Sequence, residues 1–466
     1  MSAFRVETDT LGKVRVPEDA YWGAQTQRAV ENFTVSGIRF QPEFIRAQAI
    51  IKRAAAKANM TAGVLDAKLG DAIVQAAEEV MEGTFDDQFM LDVFQAGAGT
   101  SQNMNANEVI ANRANEILGG KPGEYAFVHP NDHVNMGQST NDTIHTAIHI
   151  SGVVDAYAKL IPAVDAMQAT MQAKAEAFDH VIKCGRTHLQ DAVPIRLGQE
   201  FSAYVQMMKN AKRRLAHGLD SLKELAIGGS AVGTGLNTPP RYREYVIAHI
   251  NEITGRDFRT PENMFEAMTS FDAVVEFSGA VRVLATGMKK IADDVRLLGS
   301  GPLVGLRELH LPAVQPGSSI MPGKVNPVMA EMMNMVGAHV FGCDTTILHA
   351  AHGGQLDLNV MMPVVGYTLL LEINTLSGGM NAFNERCLAG LEANEEVCAD
   401  YAERSTALAT ALNPLIGYHQ AAKLAQEAFR EGKTVRVLAE EQKLAEKAQL
   451  DLALDLHRMT VNPDEE

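Results

Sequence analysis

An apolar residue recurs at every third or fourth position from residue 274 to residue 298, without a break. Steps of three and four keep side chains on one face of an α-helix, so the pattern predicts a single amphipathic helix. At the rise of an α-helix it would be about 38 Å long. Gly299-Ser-Gly-Pro302 marks its end. The stripe consists of Val274, Phe277, Val281, Leu284, Met288, Ile291, Val295 and Leu298.

A helix of that length needs partners of similar length, and long apolar-rich stretches occur at 142–177, 197–225 and 357–385. Only 6% of residues are aromatic, and residue types that favour helices dominate these stretches. We therefore expect an all-α fold with a central bundle of long helices. Because the stripe is too long to be covered by the few matching helices of one chain, we also expect a homotetramer assembled through that bundle.

The chain is expected to contain three regions: a mainly helical region at 1–140, the long-helix bundle at 141–394 and a small helical region at 395–466. Residues 1–40 look irregular because Pro17, Gly23 and Gly37 interrupt them. Shorter helices are expected at 43–61, 66–83 and 102–118.

The charge balance is acidic, with 41 Lys and Arg against 57 Asp and Glu, which gives a net charge of −16. Nucleic acids and anionic membranes attract clustered positive charge, so neither is an expected partner. The N-terminal residues lack the basic and apolar segments of a signal peptide, and no uninterrupted apolar run approaches the roughly 18 residues of a membrane span. A cytoplasmic protein is expected.

Several motif-like stretches do not meet the requirements of the sites they suggest. Gly97-Ala-Gly99 lacks the third glycine of a dinucleotide fingerprint, and Gly317 to Lys324 has the wrong glycine spacing for a phosphate-binding loop. His145 and His149 have helical spacing suited to zinc, but no third ligand is apparent. The four cysteines form no CxxC pair, so they are expected to be reduced core residues. These are Cys184, Cys343, Cys387 and Cys398.

Four segments are too polar and too glycine-rich for the helix cores around them, and each lies before or at the start of a predicted helix. There, free backbone N–H groups and the helix dipole favour anions. Each segment alone also fits a helix cap or turn. Together, their hydroxyls, amides and few cations suit a small polycarboxylate. The segments are Gly97-Ala-Gly-Thr-Ser-Gln-Asn-Met-Asn105, His129-Pro-Asn-Asp-His-Val-Asn-Met-Gly-Gln-Ser-Thr-Asn-Asp142, Gly185-Arg-Thr-His-Leu-Gln-Asp191 and Gly317-Ser-Ser-Ile-Met-Pro-Gly-Lys-Val-Asn-Pro327.

The last segment resembles the signature loop of the aspartase/fumarase superfamily, and the other three resemble that family's characteristic regions in the same order. The resemblance extends from Tyr21-Trp-Gly-Ala-Gln-Thr-Gln-Arg28 to Ala411-Leu-Asn-Pro-Leu-Ile-Gly-Tyr418. It implies an almost all-α homotetramer whose active sites each combine segments of three chains. It also implies that no metal or organic cofactor is needed.

The implied chemistry is reversible anti-elimination from a succinyl-type dicarboxylate to give fumarate or a fumaryl product. Such a site needs a base and hydrogen-bond donors where negative charge develops on a carboxylate. By the resemblance, Ser318 on a mobile loop is the base, and His188 paired with Glu331 lies near the leaving group. Lys324, Asn326 and Thr187 hold the carboxylate that takes the charge. The residues implied for the other carboxylate and the leaving group are Thr100, Ser139, Thr140, Asn141 and Ser319.

Two activities of the superfamily differ in their leaving group. Ammonia is lost from L-aspartate, and water is lost from L-malate. In fumarases the residue at position 98 is usually a serine that helps to hold water, and the residue at position 140 is usually also serine. Here Ala98 and Thr140 favour L-aspartate as substrate. Trp22 to Arg28 and His129 to Asp132 look more like a class II fumarase, which is the alternative activity. An inactive helical scaffold is a third hypothesis.

Overall fold

The structure, a computed structural model, describes residues 3–461 and is mostly helical, with 62% of residues in helices. Residues 462–466, the end of the expected C-terminal region, lie outside the described residues. The expectation of a mostly helical fold with long helices is therefore confirmed.

The N-terminal segment is more ordered than its sequence predicts. Strand β1 (Phe4–Asp9) pairs with strand β2 (Gly12–Pro17) in an antiparallel hairpin, and helix α1 (Ala24–Asn32) follows. Val14 and Val16 are buried on one face of β2. Their alternation is a strand signal that the expected irregular start did not use.

The three expected short helices are present, with ends that lie within two residues of the expected ones. They are α2 (Pro42–Thr61), α3 (Ala67–Met81) and α4 (Thr100–Ile117). Pro42 at the first position of α2 and the Asp66 side chain capping α3 explain where two of them begin.

The middle of the chain consists mainly of long helices. Helix α5 (Thr140–Asp155) continues through a π-helical turn at Ala156–Leu160 into α6 (Ile161–Ala177). The hairpin of β3 (Ile182–Thr187) and β4 (Gln190–Arg196) follows. The remaining elements of this part are α7 (Leu197–Ser221), α8 (Tyr242–Thr254), α9 (Met264–Thr269), α10 (Asp272–Leu298), β5 (Leu309–His310), α11 (Val328–His352) and α12 (Met362–Phe383).

Short elements make up the rest of the described chain. Strand β6 (Glu392–Ala393) pairs with β5. The C-terminal helices are α13 (Glu395–Arg404), α14 (Asn413–Ile416), α15 (Tyr418–Glu431), α16 (Val435–Glu441) and α17 (Lys447–Ala453).

The apolar stripe of α10 is buried within a single chain. Its eight residues are between 0 and 8% exposed. The argument that one chain cannot cover the stripe is therefore wrong. The sequence interpretation missed α11, a 25-residue helix, and so undercounted the helices of matching length. The expected homotetramer now depends on the family resemblance and on other surfaces.

The chain divides into two compact units, each composed of three separate segments. Unit 1 comprises residues 1–162, 212–285 and 337–377, and unit 2 comprises residues 163–211, 286–336 and 378–466. The core of unit 1 contains buried residues of α2, α3 and α4, such as Ile73 and Ile110. The expected division into regions 1–140, 141–394 and 395–466 stays a prediction.

One helix, Thr140–Ala177, is long and apolar enough to cross a membrane by length and composition alone. The structure buries 67% of its most apolar window, which is typical of a core helix. All four cysteines are free and buried, as expected for core residues. Burial raises the pKa of the Cys343, Cys387 and Cys398 thiols to about 12, which makes them poor nucleophiles.

Candidate active site

The first group of predicted site residues lies in unit 1, at the N-terminal ends of α4 and α5. Ser139 caps α5: its hydroxyl accepts from the Asn141 N–H, while its own N–H donates to Asp142. This reciprocal arrangement is the capping box that the sequence Ser-Thr-Asn-Asp encodes. Thr100 is the exposed first residue of α4. The N-terminal ends of two helices, which are the positive ends of their dipoles, therefore lie together in this unit.

Glycine allows these two ends to approach closely. Gly99 has a φ of 77°, and a Cβ there would lie 3.1 Å from the Ile144 side chain on α5. Asn103, one turn into α4, donates to the hydroxyl of Thr140 at 3.2 Å. Thr100, Ser139, Thr140 and Asn141 thus belong to one surface.

The hydrogen bonds of Thr140 and Asn141 determine what each can offer a ligand. The Thr140 hydroxyl accepts from Asn103, so its single proton is available to a carboxylate. The Asn141 amide nitrogen donates to the backbone oxygen of Ala231 at 2.7 Å, which directs its carbonyl oxygen away as an acceptor. This surface therefore presents both a donor and an acceptor.

Beneath this surface lies a buried polar cluster that the sequence interpretation missed. Lys52, on α2, is 1% exposed and donates to the side-chain oxygens of Asn103, Asn135 and Gln138 at 2.7, 3.1 and 2.9 Å. The available signal was a lysine between Ile50-Ile51 and Ala54-Ala55-Ala56, where a fully apolar face would otherwise continue.

Two buried groups of opposite charge accompany this cluster. Burial lowers the pKa of Lys52 to about 7 and raises the pKa of Asp142 to about 7, and each partly offsets the shift of the other. Asp142 also accepts from the N–H groups of Gly228 and Ser230 at 3.0 and 2.9 Å. The Asp142 carboxylate thus holds the start of α5 in place. The Lys52 ammonium group holds the side-chain amides of the buried polar cluster.

The second group lies in unit 2 and begins with the β3–β4 hairpin. Thr187 pairs with Gln190, and the turn between them consists of His188 and Leu189, with φ of 57° and 59°. Two positive φ values are what a two-residue hairpin turn requires, but glycine or asparagine is usual there. Non-glycine residues held in this conformation are often found at functional sites. His188 is exposed at the tip of the hairpin.

The base of the same hairpin is anchored by buried charges. Glu308 is fully buried and accepts from Arg186 at 2.8 and 2.9 Å, and its carboxylate lies 3.1 Å from the Lys183 ammonium. Lys183 also donates to Glu200 at 2.9 Å. Buried ion pairs therefore hold the base of the hairpin, while its turn is exposed.

The loop 317–327 is closed on itself by its ends. The Gly317 N–H donates to the Lys324 oxygen at 2.8 Å, and the Asn326 amide donates to the Gly317 oxygen at 2.6 Å. A Cβ at position 317 would lie 2.6 Å from the Lys324 oxygen, so only glycine permits this closure. The Asn326 side chain thus stabilises the loop in this conformation.

Within the loop, the Ser318 hydroxyl oxygen accepts from the backbone N–H groups of Ile320 and Met321, at 3.2 and 2.9 Å. Two donors on one oxygen favour its deprotonated form. Ser319 and Lys324 are exposed. This geometry suits an oxygen that acts as a base.

Lys324, Asn326 and Glu331 line an open cleft of about 670 Å³ in unit 2. Asp293 and Arg296, from the end of α10, line the same cleft and were not predicted from the sequence. Among residues 3–461, no hydrogen bond or ion pair joins His188 to Glu331, so their pairing stays a prediction. In that described range, no group of three His, Cys, Asp or Glu side chains could hold a metal ion.

The sequence matches the family described as Lyase over residues 12–342 and the family described as Fumarase C C-terminus over residues 408–461. It is 48% identical over 457 residues to aspartate ammonia-lyase of Bacillus subtilis (strain 168), covering 98% of this chain and 96% of that protein. It is 50% identical over 436 residues to class II fumarate hydratase of Brucella suis biovar 1 (strain 1330), covering 94% of each.

The structure is also similar to a crystal structure of fumarate lyase:delta crystallin from Brucella melitensis bound to cobalt. The TM-score is 0.95 at 45% identity, covering 99% of this chain and 100% of that one. The chain therefore belongs to the aspartase/fumarase superfamily of lyases. The two activities are represented among its relatives at similar identity.

Proposed function

We propose that the protein catalyses the reversible elimination of ammonia from L-aspartate to give fumarate. The observation that carries the proposal is Ala98, which is 4% exposed in the turn directly before α4. Class II fumarases, by the family resemblance, usually have a serine there that helps to hold water. A methyl group forms no hydrogen bond, so water lacks one positioning partner.

The orientation of Asn141 supports the same substrate. Its amide nitrogen is bonded to Ala231, and its outward carbonyl oxygen can accept from an ammonium group. Thr140 supplies a donor for the neighbouring carboxylate. An amino acid with a carboxylate beside its ammonium group matches this adjacent donor and acceptor.

The proposed reaction begins with Ser318, whose alkoxide oxygen takes the C3 proton of L-aspartate. The electron pair left on C3 is shared with the adjacent carboxylate, which Lys324, Asn326 and Thr187 stabilise. That pair then forms the C2–C3 double bond as the C2–N bond breaks and ammonia leaves. The products are fumarate, ammonia and a protonated Ser318.

The second carboxylate would bind at the α4 and α5 ends, through Thr100, Ser139, Thr140 and Asn141, with Ser319 from the loop. His188, oriented by Glu331, would face the leaving group. In this proposal the dicarboxylate is held at both ends, which fixes the C3 proton and the C2–N bond for anti-elimination. No metal or organic cofactor takes part.

The proposal includes a homotetramer in which each active site combines residues of three chains. Apolar side chains exposed on the long helices are compatible with an interface of this kind. Examples are Val283 and Leu297 on α10, and Met335 and Leu348 on α11, which are 40 to 67% exposed. The proposed location is the cytoplasm, where four free cysteines would stay reduced.

The second candidate function is that of a class II fumarase, the reversible hydration of fumarate to L-malate. The 50% identity to the Brucella suis enzyme and the match of residues 408–461 to the Fumarase C C-terminus family favour it. A third hypothesis, an inactive scaffold, has no structural observation in its favour.

The test compares fumarate formation from L-aspartate and from L-malate by the wild type and by the double variant Ala98→Ser/Thr140→Ser. We expect the wild type to favour L-aspartate at least roughly tenfold in kcat/KM, about 1.4 kcal/mol of barrier. The double variant should narrow that ratio, because it restores a hydroxyl for water. Rapid turnover of L-malate with none of L-aspartate would replace the proposal with the fumarase alternative.

A further inference from the structure

Lys52 is the buried cation beneath the predicted carboxylate surface of unit 1. Its ammonium group donates to three side-chain amide oxygens, those of Asn103, Asn135 and Gln138. An ammonium group only donates, so each of these amides must turn its oxygen toward Lys52 and its nitrogen away. The cation therefore determines the orientation of all three amides.

Asn103 carries that orientation to the predicted site. Its oxygen accepts from Lys52 and from the Thr143 hydroxyl, at 2.7 and 3.2 Å. Its nitrogen donates to Asn135 and to the Thr140 hydroxyl, both at 3.2 Å. The single Thr143 proton lies closer to the Ser139 oxygen, at 2.9 Å, so Lys52 is the main donor to the Asn103 oxygen. Because both N–H groups of the amide are also engaged, it cannot rotate without losing bonds.

The consequence for Thr140 is a fixed direction of its hydroxyl proton. Its oxygen accepts from Asn103, and within residues 3–461 the hydroxyl donates to no other group. The proton is therefore available to a ligand. If Asn103 instead presented its oxygen, Thr140 would donate inward and turn lone pairs toward an approaching carboxylate.

We propose that Lys52 is a positioning residue for dicarboxylate binding, which holds Asn103 so that Thr140 donates to the substrate carboxylate. The inference rests on the proposed function in so far as the ligand is a dicarboxylate. It does not depend on whether the leaving group is ammonia or water. Lys52 itself does not touch the substrate.

The charges around Lys52 are compatible with this role. Asp142 on α5 is the opposite charge that acts on its ammonium group, and Asp142 is itself bonded to three backbone N–H groups. Tyr242 on α8, fully buried, also faces Asp142. Asp142 offsets part of the Lys52 charge, so the role argued for Lys52 depends on its hydrogen bond to Asn103 and not on attraction of the bound anion.

The decisive variant is Asn103→Asp, which keeps the shape of the side chain and gives Lys52 a carboxylate partner. A carboxylate only accepts, so Thr140 must donate inward. We expect succinate, an unreactive dicarboxylate, to bind about tenfold more weakly in calorimetric titration of the full-length protein. KM should rise by a similar factor, with kcat within threefold of the wild type. If Asn103 had only a structural role, the substitution would lower the melting temperature without raising KM selectively over kcat.

A double-mutant cycle tests the path through Thr140. Lys52→Met and Thr140→Val should each weaken succinate binding about tenfold, and the double variant should be no weaker than the worse single variant. Lys57→Met is the control on the same helix, because Lys57 is partly exposed and lies 3.7 Å from Asp71. It should bind succinate like the wild type. Should Lys52→Met fail to fold, Asn103→Asp and Thr140→Val still decide the question.

Wild-type affinity for succinate in Asn103→Asp, or additive losses in the double variant, would overturn the inference. These outcomes differ from a failure of the proposed function, in which the wild type releases no fumarate from L-aspartate. In that case the succinate titrations still decide the role of Lys52. A wild type that does not bind succinate at all would overturn the inference, while fumarate release from L-aspartate would still decide the proposed function.

Discussion

The two groups of predicted site residues are constructed in opposite ways. At the α4 and α5 ends, Ser139, Thr140 and Asn141 are each held by hydrogen bonds to neighbouring groups, and a buried cation lies below them. In unit 2, the side chains of Ser319, Lys324 and His188 are exposed on a loop and a hairpin tip. One group is held by hydrogen bonds to its neighbours, and the other presents exposed side chains; movement of the 317–327 loop stays a prediction.

This difference fits the two tasks of an elimination. Recognition of a carboxylate improves when its donors are preorganised, because little ordering is then lost on binding. A base works best where water is excluded, and a segment that closes over the substrate excludes it. The comparison therefore predicts that changes at the loop alter turnover, while changes at the α5 end alter affinity.

The largest effect is expected for Ser318→Ala. Loss of the base should lower kcat by roughly a thousandfold, about 4 kcal/mol, while succinate binding stays within threefold of the wild type. The melting temperature should not change, because within residues 3–461 the Ser318 side chain forms hydrogen bonds only inside its own loop. Steady-state kinetics and thermal melts measure both. A variant that keeps more than about a tenth of its activity would exclude Ser318 as the base.

The next effect concerns the base of the hairpin. Glu308→Gln leaves Arg186 without its buried carboxylate, and we expect a loss of about 3 kcal/mol in the free energy of unfolding by urea. The matched control is Asp400→Asn, which removes an exposed ion pair with Arg404 and should cost less than about 1 kcal/mol. Equal losses for the two variants would show that the buried charges do not anchor the hairpin.

A smaller effect is expected at the hairpin tip. His188→Asn should lower kcat about thirtyfold, roughly 2 kcal/mol, because the leaving group loses its partner. Asparagine tolerates the positive φ of this position, so the turn should persist. Leu189→Asn provides the control, since that residue has the same backbone conformation and no predicted role. If both variants lose activity alike, the turn itself and not the imidazole is what the reaction needs.

The sequence was sufficient for much of the fold and for the identity of the motif residues. The heptad stripe predicted α10 to within two residues, and the capping box at Ser139 is visible in four letters. The polar cluster around Lys52 could not be predicted, because its partners Asn103, Asn135 and Gln138 are distant in sequence and only the tertiary fold brings them together. The strained turn at His188 was likewise invisible, since no residue type there favours positive φ as strongly as glycine does.

The smallest expected effect is on the stability of unit 1 at acidic pH. Burial lowers the pKa of His145 to about 4, and the pKa of His149 well below its ordinary value. The unfolded chain therefore binds more protons, so both histidines reduce stability as the pH falls below about 6.5 toward 4. When the pH is lowered from 6.5 to 5.5, the free energy of unfolding of His145→Gln in urea titrations should fall by about 1 kcal/mol less than that of the wild type.

The exposed His419 gives the control for that measurement. His419→Gln should keep the pH dependence of the wild type, because His419 is exposed to solvent and lies outside the buried pair His145 and His149. A wild-type dependence in His145→Gln as well would mean that this buried imidazole is not the source of the acid sensitivity.

We propose that ammonia, and not water, is the group that the enzyme adds and removes. The most direct measurement is the product ratio when the enzyme acts on fumarate in ammonium buffer, where both nucleophiles compete in one reaction and NMR quantifies the products. We expect L-aspartate in at least roughly tenfold excess over L-malate, a barrier difference of about 1.4 kcal/mol. L-Malate as the main product would contradict it.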